Sequence, residues 1–197
     1  YVFLAIFSGV VSMFFFDDFF ARQIADLRPL FQQLPMLYVI LVPLITMRLW
    51  AEERRTGTEE LLLTFPIRVR DAVVGKFLAA WALLAAALVL TIGITLTVGS
   101  LGSIQGSGLD WGPVFGGYVA ALLMGGAYLA IGLFISAVTQ HQIIAAVITC
   151  FVLFMLSMVG RADVIVGSPE WMRPALIALG LETHFRAVAR GVLDLRD

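Results

Sequence analysis

Four stretches of the chain carry no Asp, Glu, Lys or Arg: residues 1–16, 29–47, 77–109 and 111–160. A helix rises about 1.5 Å per residue and the hydrocarbon core of a bilayer is about 30 Å thick, so these runs have membrane-spanning length and the last is too long for one crossing. It must turn within itself, and the polar cluster Thr139-Gln140-His141-Gln142 is the place for it. The pattern predicts spans near 1–16, 34–50, 73–100, 112–138 and 142–160. The first is short, reaching only about 24 Å. The chain also opens on Tyr1 with neither a Met nor a basic flank, and Phe14-Phe15-Phe16-Asp17-Asp18 looks nothing like a small-residue cleavage site. A span truncated at its start is therefore expected.

Composition agrees with the pattern. A hydrophobic content of 60% and a mean hydropathy of +0.96 exceed those of a soluble domain and point to an all-α polytopic membrane protein. The net charge of −1 argues against nucleic acid as a partner, because no segment supplies the basic excess that phosphate binding needs. The single cysteine, Cys150, falls inside a span and reads as a small buried hydrophobe.

Eleven of the 27 formal charges lie in one island, Arg48 through Lys76. An island this polar cannot lie in lipid and belongs to one membrane face. It holds six of the thirteen basic residues: Arg48, Arg54, Arg55, Arg68, Arg70 and Lys76. Against them stand Arg22 and Arg28 in the preceding loop and Arg161, Arg173, Arg186, Arg190 and Arg196 in the C-terminal stretch. The totals nearly balance, six against seven. The density of the island next to two span ends favours placing it inside, although the positive-inside rule alone does not decide it.

The island has an internal order. Thr56 and Glu59 have capping-box spacing, and Glu59 and Glu60 fall in the first turn of the helix that would follow, where its dipole favours carboxylates. Leu61, Leu62 and Leu63 then supply an apolar surface, and Pro66 ends the helix. Gly57 offers backbone freedom before it, and Asp71 can cap the third span. A short capped helix bearing three leucines exceeds what a solvated linker needs; it suits a groove on another protein or a lipid surface.

Three segments carry a resemblance: Pro43-Leu44-Ile45-Thr46-Met47-Arg48; Glu52-Glu53-Arg54-Arg55-Thr56-Gly57-Thr58-Glu59-Glu60-Leu61-Leu62-Leu63-Thr64-Phe65-Pro66; and Gly75-Lys76-Phe77. Together they resemble the ATP-binding-cassette type-2 permease family, particularly its gliding-motility-type branch. The resemblance implies a cytoplasmic coupling loop over 51–71, with a coupling helix that docks on a separate ATPase subunit. Glu52, Glu53, Arg54, Arg55, Gly57, Thr58, Glu59, Glu60, Leu61, Leu62, Leu63 and Pro66 would form that interface. It further implies a location in the cell (inner) membrane, a second permease subunit in a homo- or heterodimer, an accessory substrate-binding protein, and export as the direction. No cofactor is expected in this chain, ATP and Mg belonging to the partner ATPase. The family has six spans, of which five are visible here; residues 161–197 would be its outer-face amphipathic segment, with the sixth span beyond Asp197. In that segment Leu181, Phe185, Val188, Val192 and Leu195 recur at helical spacing, with Glu182, Arg186, Arg190 and Asp194 on another face. An ordinary surface helix and a substrate-gating one both fit.

Other chemistry finds little support. Gly75-Lys76 lacks the glycine of a Walker A loop, and no catalytic motif accompanies the only histidines, His141 and His184, which this topology puts on opposite faces. No catalytic or metal site is therefore expected. Small residues four apart, Gly112 with Gly116, Gly116 with Ala120, Gly117 with Ala121 and Ala121 with Gly125, predict close helix approach within the subunit or across a dimer. Thr91, Thr95 and Thr97 could line a path or bond back to their own helix. A secondary carrier would place charged groups at mid-membrane depth, and none is visible there. A non-transporting scaffold or assembly subunit would look much like the permease and is the competing reading.

Overall fold

The computed structural model of the chain describes residues 2–22, 27–58, 64, 68–104, 111–159, 167–174, 176, 180 and 185. The regular structure among them is helical: α1 (Val2–Arg22), α2 (Arg28–Thr46), the short α3 (Ala51–Thr56), α4 (Val69–Ile104), α5 (Trp111–Val138) and α6 (Gln142–Val159). Among the described residues four stretches are long and apolar enough to cross a membrane, namely α2 with α3, then α4, α5 and α6; the apolar part of α1, Val2–Asp17, is shorter. α1 continues past Asp17 and α2 starts at Arg28, where Pro29 suits the first turn because its missing N–H has no helical partner there anyway. Between α5 and α6 the helix breaks at residues 139–141, and the Thr139 hydroxyl donates back to the Ile135 carbonyl.

α2 and α5 form the centre. α2 packs against α1, α5 and α6, whereas α5 packs against α2, α4 and α6, and α1 also touches α4. On α1 the buried positions are Phe7, Val11 and Phe15, one face at i, i+4, i+8. α2 is buried on most sides and leaves exposed the stripe Gln32, Met36, Ile40 and Leu44, together with Arg28 at its start. α6 does the reverse: Ala145, Thr149, Leu153 and Ser157 make one narrow buried row, while Ile143, Val147 and Phe151 face outward. Large apolar side chains thus cover the exterior, including Phe115, Leu123 and Phe134 of α5, as a bilayer solvent requires.

Glycines let the two central helices approach. A Cβ at Gly117 would stand 2.7 Å from the Phe31 ring, one at Gly125 3.3 Å from Tyr38 Cε2, and one at Gly132 2.8 Å from Thr46 Cγ2. Both series rise together, 117, 125, 132 against 31, 38, 46, so α2 and α5 run parallel, in register at steps of seven or eight residues. The close approach predicted for Gly117, Ala121 and Gly125 therefore serves packing within the chain, and Ala121 is fully buried; Gly112 is exposed. α4 meets α5 through Leu84 at Gly125, through the Trp81 indole N–H donating to the Leu122 carbonyl at 3.1 Å, and through the Tyr118 hydroxyl, 3.1 Å from Thr91 and 2.7 Å from Thr95. Thr91 also bonds back to Leu88, and Thr97 to Ile94. Tyr118 in turn stands edge-on to Phe31, ring centres 5.3 Å apart.

Candidate functional site

The charged island begins at an elbow. α2 carries Pro43 near its end, a residue that cannot donate a helical hydrogen bond. After Thr46 the chain turns through residues 47–50 before α3 starts. Thr46 is fully buried and its hydroxyl donates to the Val42 carbonyl at 3.1 Å, closing α2 from within. Gly132 of α5 has no side chain at this point, which leaves Thr46 its space.

α3 lacks a cap of its own, because Trp50 occupies the position where an acceptor side chain would normally satisfy the first N–H groups. The acceptor comes from α5. The buried Ser136 Oγ accepts from the backbone N–H of Trp50 at 3.1 Å and of Ala51 at 3.2 Å, and its proton points to the Met47 carbonyl at 3.4 Å. From the other side, α4 contributes Lys76, the single lysine of these 197 residues. Its Nζ donates to the Leu49 carbonyl and to the Glu53 carboxylate, and lies 3.7 Å from the centre of the Trp50 ring. The ion pair is largely shielded, with side chains 18% and 32% exposed, and a cation over an indole contributes about 0.5–2 kcal/mol. The elbow is thus held by two different helices at once.

The residues expected at the coupling interface distribute as follows. Glu52 and Glu53 fall in the first turn of α3 and Arg54 and Arg55 in its last, each sign matching the helix dipole at its end. Glu52, Arg54, Arg55 and Thr58 are exposed, whereas Glu53 turns inward to Lys76. Gly57 ends α3 at φ +71°, a left-handed conformation that favours glycine at a helix C-terminus. Glu59, Glu60, Leu61, Leu62, Leu63 and Pro66 lie outside the described residues.

Thr56 departs from the capping-box expectation. It is the last helical residue of α3, and its hydroxyl donates to the Glu52 carbonyl at 2.9 Å, with Thr58 Oγ1 3.0 Å away. The left-handed Gly57 immediately after it makes Thr56 an end and not a beginning. Asp71 likewise sits inside the first turn of α4, two residues after its start, where it still favours the dipole. From the sequence Lys76 stands out as a charge and as part of Gly75-Lys76-Phe77, but not as a partner of Glu53, and neither Ser136 nor Trp50 stands out at all. One signal was available: a helix opening Trp-Ala-Glu-Glu has no capping residue, so an acceptor had to arrive from elsewhere.

No curated protein and no solved structure matches the chain at a significant level. Residues 2–170, which take in the central bundle, the elbow and the charged island, match the family described as ABC-2 family transporter protein. With its apolar helices and this match over most of its length, the chain belongs to that family and is a transmembrane permease.

Proposed function

We propose that this chain is the membrane subunit of an ATP-driven exporter, working with a second permease subunit and with a separate ATPase that holds ATP and Mg. In this reading residues 51–71 face the cytoplasm of a cell (inner) membrane protein. The segment after Gly57, with Leu61, Leu62 and Leu63, rests on the ATPase, while residues 161–197 lie on the opposite face. The observation that carries the reading is the elbow: α3 continues from α2, is capped by Ser136 of α5 and is gripped by Lys76 of α4. A displacement applied just beyond α3 would therefore reach three spans without passing through solvent-exposed linkers. Glu52, Arg54 and Arg55 supply the charges that would orient the docked segment. Family membership supplies the expectation of an ATPase partner.

The test is copurification with an ATPase followed by assay in proteoliposomes. The paired substitution Leu61→Asp and Leu62→Asp is expected to abolish ATPase association while leaving thermal unfolding of the bundle unchanged. Undiminished association would overturn the docking role. An ATPase that binds but hydrolyses ATP at the same rate with every candidate substrate would indicate a scaffold instead.

A further inference from the structure

We infer that the groove between α4 and α5 at the α3 end of the bundle is a site for an anionic phospholipid, its acyl chain lying between the two helices and its phosphate held by Arg54. The groove has a volume of about 680 Å³ and is lined by Val73 and Phe77 of α4, by Leu133 and Phe134 of α5, and by Trp50 and Arg54 at the α3 end. Its lining runs along α4 from Val69 to Phe77, eight residues or about 12 Å, against about 15 Å for half of a hydrocarbon core. It thus starts at the charged end of the bundle and reaches into the adjoining leaflet. The depth is also marked chemically. Trp50, with Lys76 on its ring, is the kind of residue that settles at headgroup level, and below it the walls are aliphatic or aromatic. Phe134 is 69% exposed and Val74 52%, so the groove opens sideways to the surrounding lipid.

The charge at the mouth selects the occupant. A basic residue at the top of an apolar cleft between membrane helices fits an anionic headgroup with its chain below. A guanidinium has five N–H donors and binds phosphate oxygens in pairs, so Arg54 can serve a phosphate alongside contacts within the protein. Arg70 stands three residues before Val73, one turn nearer the headgroups. The neighbouring carboxylate, Glu53, is engaged by Lys76, while Glu52 lies two residues from Arg54 and so points elsewhere on α3. Among the described residues, Asp71 is the remaining carboxylate of the α4 turn, flanked by Arg68 and Arg70.

The inference does not depend on ATPase coupling, and its test contains no ATPase. The full chain is titrated with phosphatidylglycerol and with phosphatidylcholine of the same acyl chains, and bound lipid is read by native mass spectrometry. The wild type is expected to retain phosphatidylglycerol about tenfold better. Arg54→Gln should erase that preference, and Val73→Trp, which fills the cleft from its lipid-facing side, should weaken retention of both lipids. Phe151→Ala, on the outer face of α6, should behave as wild type. A phosphatidylglycerol with a photoreactive chain end should label peptides containing Phe77 or Phe134. Equal retention of the two lipids by the wild type, or an undiminished preference in Arg54→Gln, would overturn the assignment. So would labelling as strong around Phe151 as in the groove, or a Phe134→Cys variant that crosslinks to a second copy and excludes the lipid.

Discussion

The two ends of α5 are both tied by hydroxyl groups, yet they do different work. At one end the Tyr118 hydroxyl meets Thr91 and Thr95, so two complete helices exchange side-chain hydrogen bonds and no backbone group depends on them. At the other end the Ser136 hydroxyl serves the N–H groups of Trp50 and Ala51, which have no partner within α3. The first contact adds cohesion to packing that already exists. The second determines whether a non-helical stretch of backbone holds its shape. A bond of similar length therefore carries more structural consequence where secondary structure is interrupted.

Three substitutions would break or sharpen this contrast. The largest effect is expected at Gly132→Val, beside the elbow, because the first added carbon would stand 2.9 Å from Thr46 Cβ, an atom that no rotamer change can withdraw. Overpacking of this kind costs roughly 1–3 kcal/mol or more and should lower the thermal unfolding midpoint in detergent. A midpoint equal to wild type would mean that the central helices are less tightly matched than described. Ser136→Ala should cost about 1–2 kcal/mol and speed amide hydrogen exchange at Trp50 and Ala51 by roughly tenfold, because two buried donors lose their acceptor. Tyr118→Phe should cost only about 0.6–1 kcal/mol and leave exchange at those two amides unaltered. If Tyr118→Phe proved the more damaging of the two, the distinction between the ends of α5 would fail.

Much of the helical framework was legible in the sequence because a bilayer imposes a length on each uncharged run and excludes charge from it. The break at residues 139–141 was legible for the same reason, as Thr139-Gln140-His141-Gln142 interrupts an otherwise apolar stretch. The start of α2 was less so: Arg28 looks like an interruption, but a charge at a helix end does not stop a helix, and Pro29 favours its first turn. Close approach at Gly117, Ala121 and Gly125 could be read from spacing alone. The identity of the partner could not, since apolar residues cover every face of these helices. On α6 the buried face is mostly small or weakly polar, Ala145, Thr149 and Ser157, and the exposed one is large and apolar. A soluble-protein rule would have pointed the wrong way. Within the candidate site, Glu52 through Arg55 could be read as a cluster by adjacency, whereas Ser136 is 86 residues from Trp50 and Lys76 is 23 from Glu53. Contacts at such separations depend on how the helices assemble, and only the missing cap at Trp50 hinted at one of them.

The parallel pairing of α2 and α5 has a mechanical result. Three rungs, at Gly117, Gly125 and Gly132, are spread over about 22 Å, and each seats a different side chain of the neighbour. Sliding one helix along the other would bring all three into collision together, so the two must travel as a single rod. Any opening of the protein then falls to the joints around that rod, where α1, α4 and α6 lean against it.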